Sequence, residues 1–99
     1  VETHCGATWD SFNENLSHWD TSSVTTMNFM FYRAYAFNGD VSSFDTSKIT
    51  TMYAMFREAT SFNGNVSNFD TSSVTNMGYM FRSATSLNQD TSSWISKDF

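Results

Sequence analysis

The chain has no proline, one cysteine, four glycines and few charges, ten acidic and five basic residues among 99. Each shortage excludes something. A single cysteine, Cys5, rules out an internal disulfide framework or a cysteine zinc cluster, and leaves that thiol free, buried or paired with another chain. The net charge of −5 provides no basic field for nucleic acid or an anionic membrane surface. No apolar run approaches the roughly 18 residues of a spanning helix, so membrane insertion is not expected. One domain usually takes about 100–150 residues, so a two-domain enzyme does not fit, and the start at Val1 reads as a mature or excised piece. Polarity comes instead from 16 Ser, 13 Thr and 9 Asn, while 17% aromatic residues and six methionines supply apolar bulk. Such a chain is expected to fold and to stay in water.

Its organisation is a tandem repeat. Residues 37–61 and 62–86 agree at 17 of 25 positions without a gap, residues 12–36 fit the same frame, and 87–99 fit its first half with decay. Residues 1–11 fill a divergent half unit, so 1–99 reads as one domain. A fixed period of 20–50 residues implies units that bury their apolar faces only by stacking on one another.

The columns of the repeat name the core. Phe12, Phe37, Phe62 and Leu87 form one column, Leu16, Val41 and Val66 another, Trp19, Phe44, Phe69 and Trp94 a third, and Val24, Ile49, Val74 and Phe99 a fourth. Met27, Met30, Phe31 and Ala34, with Met52, Met55, Phe56 and Ala59 and then Met77, Met80, Phe81 and Ala84, follow the i, i+3, i+4, i+7 spacing of a short amphipathic helix. Thr26, Thr51 and Asn76 stand where an N-cap belongs, and Arg33, Arg57 and Arg82 lie in the last turn. Leu16 to Trp19 and its equivalents read as a short strand, followed by Asp-Thr-Ser turn chemistry. The expected fold is therefore an α/β repeat, a leucine-rich-repeat-like solenoid of about four 25-residue coils, each a short parallel strand, a turn and a short helix.

The string FNG(N/D)VSxFDTSxVTxMxxMFxxATS of residues 37–86 resembles the BspA-like 25-residue surface protein repeat of bacterial and microbial-eukaryote surface proteins and lipoproteins. The resemblance covers residues 12–99. It implies an extracellular or cell-surface solenoid with roles in adhesion or surface structure, and it brings no catalytic residues. The ends depart from the pattern, with Cys5 in a Met column, Gly6 in a Phe column and Ile95 in the Asp column.

Several residues admit a chemical and a structural reading. The M-x-x-M pairs suit copper(I), but their place on the apolar stripe favours core packing. The ladder of Asn13, Asn38, Asn63 and Asn88 is read as satisfying turn backbone from unit to unit. Asp20, Asp45 and Asp70 are weak calcium candidates, since one carboxylate per unit falls short of the six to eight oxygens calcium takes, and a turn role is preferred. No cofactor is expected. His18 shares a column with unlike polar residues, and His4 beside Cys5 is a poor nucleophile–base set, so catalysis is not expected. Asn15-Leu16-Ser17 and Asn65-Val66-Ser67 are glycosylation sequons in one column.

Two classes of function follow. A repeat whose ends still present apolar columns favours a filament or surface-layer subunit, joined head to tail to copies of itself; Cys5, Trp9, Leu87, Trp94 and Phe99 are its self-association candidates, and 99 residues is one short of four periods. The alternative is a cell-surface adhesion module whose exposed Ser17, Ser42, Ser67 and Ser92 column meets proteins or glycans. A third expectation is ice binding by the threonine ladders Thr21, Thr46, Thr71 and Thr25, Thr50, Thr75.

Overall fold

The apolar stripe faces inward as its spacing requires, but it does so without a helix. The computed structural model describes residues 11–89, 91 and 94, and among them there is no α-helix and no continuous strand. Two residues in each unit have left-handed backbone: Phe29 (φ 59°) and Arg33 (58°), Ala54 (54°) and Glu58 (61°), Tyr79 (54°) and Ser83 (61°). A positive φ at a residue with a Cβ cannot continue a right-handed helix. The amides then bond elsewhere. Met27, Phe29, Phe31 and Arg33 donate their N–H groups to the carbonyls of Thr51, Tyr53, Met55 and Arg57 at 2.8–3.0 Å. Met52, Ala54, Phe56 and Glu58 donate in the same way to Asn76, Gly78, Met80 and Arg82 at 2.7–2.9 Å. Between these crossings, the N–H groups of Met30, Tyr32 and Ala34 close tight turns on Met27, Phe29 and Phe31 at 3.0–3.3 Å. Overlapping turns bring the chain back to one side every three or four residues, which is the spacing the sequence shows.

The expected strand is also absent. At its position the N–H of Trp19 closes a turn on the Leu16 carbonyl at 3.0 Å, as Phe44 does on Val41 and Phe69 on Val66, each at 3.1 Å. Strand-like pairing among the described residues is confined to isolated parallel bridges Thr26↔Thr51 and Thr51↔Asn76, in the column read as helix caps. The α/β leucine-rich-repeat-like solenoid expected from the pattern is thus not what forms. A compact body of 34 × 28 × 19 Å forms instead, built from turns that bond to the next repeat. The physical reason lies in length and composition. A helix of two turns is marginal because its nucleus is costly, and partners one period away satisfy the same amides while Ser, Thr and Asn compete for local backbone.

Identical side chains recur beside one another, so the core is a set of aromatic stacks. Phe12, Phe37 and Phe62 stack at 5.8 Å between successive rings, and Phe31, Phe56 and Phe81 at 5.2 and 5.6 Å. The two stacks interlock through Phe31–Phe37 at 4.3 Å and Phe56–Phe62 at 4.1 Å, both nearly parallel. Leu16, Val41, Val66, Ile49, Val74 and all six methionines are buried around them, with Phe44 and Phe69, while Phe12, Trp19, Val24, Phe81 and Leu87 are half-buried against the cluster. Trp94 is buried and stacks on Phe69 at 6.0 Å and Phe81 at 5.8 Å. Gly64 has no room for a side chain: an added Cβ would meet Phe62 Cε1 at 2.7 Å and the Gly39 carbonyl of the preceding unit at 2.9 Å.

Polar columns tie the units where apolar ones cannot. Thr21 is buried; its hydroxyl donates to the Asp45 carbonyl at 3.2 Å and accepts from the Asp45 N–H at 2.8 Å. Thr46 repeats this with Asp70, at 3.2 and 2.7 Å. The Asn13, Asn38 and Asn63 carboxamide oxygens accept from the N–H groups of Asn38, Asn63 and Asn88 at 2.8–2.9 Å. Thr50 and Thr75 each bond the preceding threonine carbonyl through both N–H and hydroxyl.

Candidate functional site

The polar side chains of these Thr and Asn columns are taken up by bonds to neighbouring units. Units 37–61 and 62–86 differ at eight positions, and four of these fall in one short segment: Thr51/Asn76, Tyr53/Gly78, Ala54/Tyr79 and Glu58/Ser83. The outer side of that segment, with residues 28–33 of the preceding unit, is a continuous aromatic and arginine face.

Phe29, Tyr53 and Tyr79 run across three units edge to face, at 5.5 and 5.8 Å between ring centres. Gly78 leaves room for this, because a Cβ there would stand 3.1 Å from the Tyr53 ring. Tyr32 meets Phe29 edge to face at 5.6 Å. The guanidinium of Arg33 lies over Tyr32 at 5.0 Å, that of Arg57 over Tyr32 at 6.0 Å and Tyr79 at 5.3 Å, and that of Arg82 over Tyr79 at 5.3 Å. Glu58 sits among them, 3.3 Å from Arg33 Nε and 3.8 Å from Arg57 Nε. The second approach is too long for a hydrogen bond, and Arg57 Nε is buried with no hydrogen-bond partner. Tyr32 first and Glu58 second hold the Arg33 guanidinium further above its ordinary value. Phe29, Tyr35 and Tyr79 are the exposed large apolar side chains among the described residues, at 38%, 41% and 46%. The face offers π surface and fixed guanidinium groups, the chemistry of binding an anionic or planar partner.

The residues singled out from sequence are scattered over other columns. Asp20, Asp45 and Asp70 are exposed, and each carboxylate accepts from the N–H (3.0 Å) and hydroxyl (2.6–2.7 Å) of Ser22, Ser47 or Ser72. Those bonds, the hydroxyl's first, hold the three carboxyls below their ordinary 3.8, and Asp40 is lowered in the same way by Ser42. Among the described residues no three His, Cys, Asp or Glu side chains gather where they could hold a metal ion. Asn15 and Asn65 are exposed, their carboxamide oxygens accepting from the N–H of Ser17 and Ser67 at 2.9 Å. His18 is exposed, and of the serine column Ser17 and Ser67 are exposed and Ser42 half-buried. Thr21, Thr46 and Thr71 are buried, so that column presents no ladder to a surface. Cys5, Trp9 and Phe99, with His4, Ile95 and Ser92, lie outside the described residues. Leu87 is half-buried and Trp94 is packed into the core. The aromatic and arginine face was missed because column reading rewards agreement, and this face is built from disagreements between units.

No helix among the described residues is long and apolar enough to cross a membrane. Residues 3–99 match the family described as Mycoplasma protein of unknown function, DUF285, and the chain belongs to that family. No curated protein and no solved structure matches it.

Proposed function

We propose that this family member is a non-enzymatic interaction module of an extracellular or cell-surface protein, meeting a protein or glycan through the aromatic and arginine face. The observation that carries the reading is the run Phe29, Tyr53, Tyr79 with Arg33, Arg57 and Arg82, three units long and outward-facing, on a frame whose other polar columns are spent on its own backbone. The resemblance to BspA-like surface repeats supports the location, as do sequons at the exposed Asn15 and Asn65. The test is adhesion of immobilised chain to cells and to a mixed glycan and matrix-protein array. Tyr53→Ala with Tyr79→Ala is expected to abolish capture while leaving the melting temperature near wild type; capture that survives the double substitution overturns the reading.

A second reading is favoured by a separate observation. Trp19, Val24, Met27, Phe29 and Met30 line an apolar groove of about 670 Å³ at the first described unit. Its occupant would be a second copy of the chain, which makes the protein the subunit of a head-to-tail assembly. Sedimentation and negative-stain microscopy at high concentration decide it: oligomers or fibres that Val24→Asp, at a half-buried groove position, disperses support the assembly, and a monodisperse monomer ends it.

A further inference from the structure

Resting on the interaction face proposed above, we infer that its occupant is a linear anionic polysaccharide bearing sulfate or carboxylate groups. The first ground is charge. The chain carries −5 overall, yet all three of its arginines lie on this one face, with the Glu58 carboxylate placed between Arg33 and Arg57. A protein that is acidic elsewhere presents here a local excess of guanidinium.

The second ground is how those guanidiniums are held. Each lies over a tyrosine ring, Arg33 on Tyr32, Arg57 between Tyr32 and Tyr79, Arg82 on Tyr79. A guanidinium drawn to a ring is positioned before the ligand arrives, and its remaining N–H donors suit a bidentate oxyanion. Glu58 takes only the Nε of Arg33, at 3.3 Å.

The third ground is repetition. Phe29 and Tyr79, exposed on either side of the half-buried Tyr53, offer carbon-rich side-chain surface for the C–H face of a pyranose. Parallel pairing at Thr26, Thr51 and Asn76 sets adjacent units about 4.8 Å apart, close to the advance per sugar of an extended pyranose chain. A polymer with a charge and a flat ring per step therefore meets an arginine and an aromatic per step. Single-stranded nucleic acid shares the anion and the stacking, so poly(dT) is the competing outcome of the test.

Glu58 competes with the ligand for Arg33 and Arg57, so its neutralisation separates this inference from a merely structural role. The whole chain is titrated with dextran sulfate, neutral dextran, polyglutamate and poly(dT), at low and high salt, with circular dichroism confirming the fold of each variant. Dextran sulfate is expected to bind in a salt-sensitive way, and neutral dextran to bind at least about tenfold more weakly. Arg57→Gln with Arg82→Gln is expected to lower affinity about tenfold or more, Arg57→Lys to recover only part of it, and Glu58→Gln to raise it about threefold. Equal binding of neutral dextran, tighter binding of poly(dT), polyglutamate binding as well as dextran sulfate, or indifference to Glu58→Gln would each overturn the inference. If Tyr53→Ala with Tyr79→Ala abolishes cell capture while dextran sulfate does not bind wild type, the polysaccharide is wrong and the interaction face stands; if neither responds, both fall.

Discussion

Two regions of this chain obey opposite rules. In the core columns each unit keeps the residue of the last, as in Phe31, Phe56 and Phe81 or Thr21, Thr46 and Thr71, or exchanges it for one of like character, as in Leu16, Val41 and Val66, because each side chain packs against its copy. On the aromatic and arginine face the units differ, with Asn28, Tyr53 and Gly78 in one column and Arg33, Glu58 and Ser83 in another, and the differences interlock: the Tyr53 ring lies against Gly78, and Glu58 accepts from Arg33. Repetition builds the frame, and departure from it builds a surface that only this order of units makes.

If that contrast is right, substitutions should divide sharply between the two regions. The largest effect is expected for Phe56→Ala, which removes a fully buried ring stacked on Phe31, Phe62 and Phe81. A loss of about 3–5 kcal/mol in urea unfolding is the expected range. Thr46→Val comes next, at about 1–3 kcal/mol, because the Asp70 N–H and carbonyl both lose their partner; Thr46→Ser should restore most of it. A Thr46→Val melting curve that overlays wild type would break the claim that polar columns hold the frame.

Acid titration gives the third test. Asp20, Asp40, Asp45 and Asp70 have folded values below 3.8, so as pH falls the unfolded chain takes up protons first. Their stabilisation is complete above about pH 5 and is lost below about pH 4, as the folded values are passed. The melting temperature should be flat from neutral to about pH 5 and fall beneath about pH 4. Asp45→Asn should fold, since Asn65 makes the same turn with Ser67, and its acid slope should be shallower. The smallest effect on stability belongs to the face: Arg82→Gln or Tyr79→Ala should move unfolding by less than about 1 kcal/mol, because both side chains are exposed. A cost approaching that of Phe56→Ala would make the face part of the frame and remove the contrast.

Burial was legible in sequence because it depends only on which positions recur. Phe37, Val41, Phe44, Ile49, Met52, Met55 and Phe56 are all inside. Secondary structure was not legible. The spacing of Met27, Met30, Phe31 and Ala34 is the same for a helix and for overlapping turns, and nothing local tells Phe29 and Arg33 to adopt positive φ. The bridge column was misplaced for a similar reason: Thr26, Thr51 and Asn76 have cap chemistry, and pairing there depends on the next unit arriving beside them.

Composition and period alone decided that the chain would stack its own units, bury Phe and Met, and lean on Asn, Asp and Thr where charge is scarce. Only the packed structure decided the backbone path, because an amide's partner 24 residues away exists once the units have come together. It also decided the aromatic and arginine face, whose members lie in different columns and meet only across adjacent units.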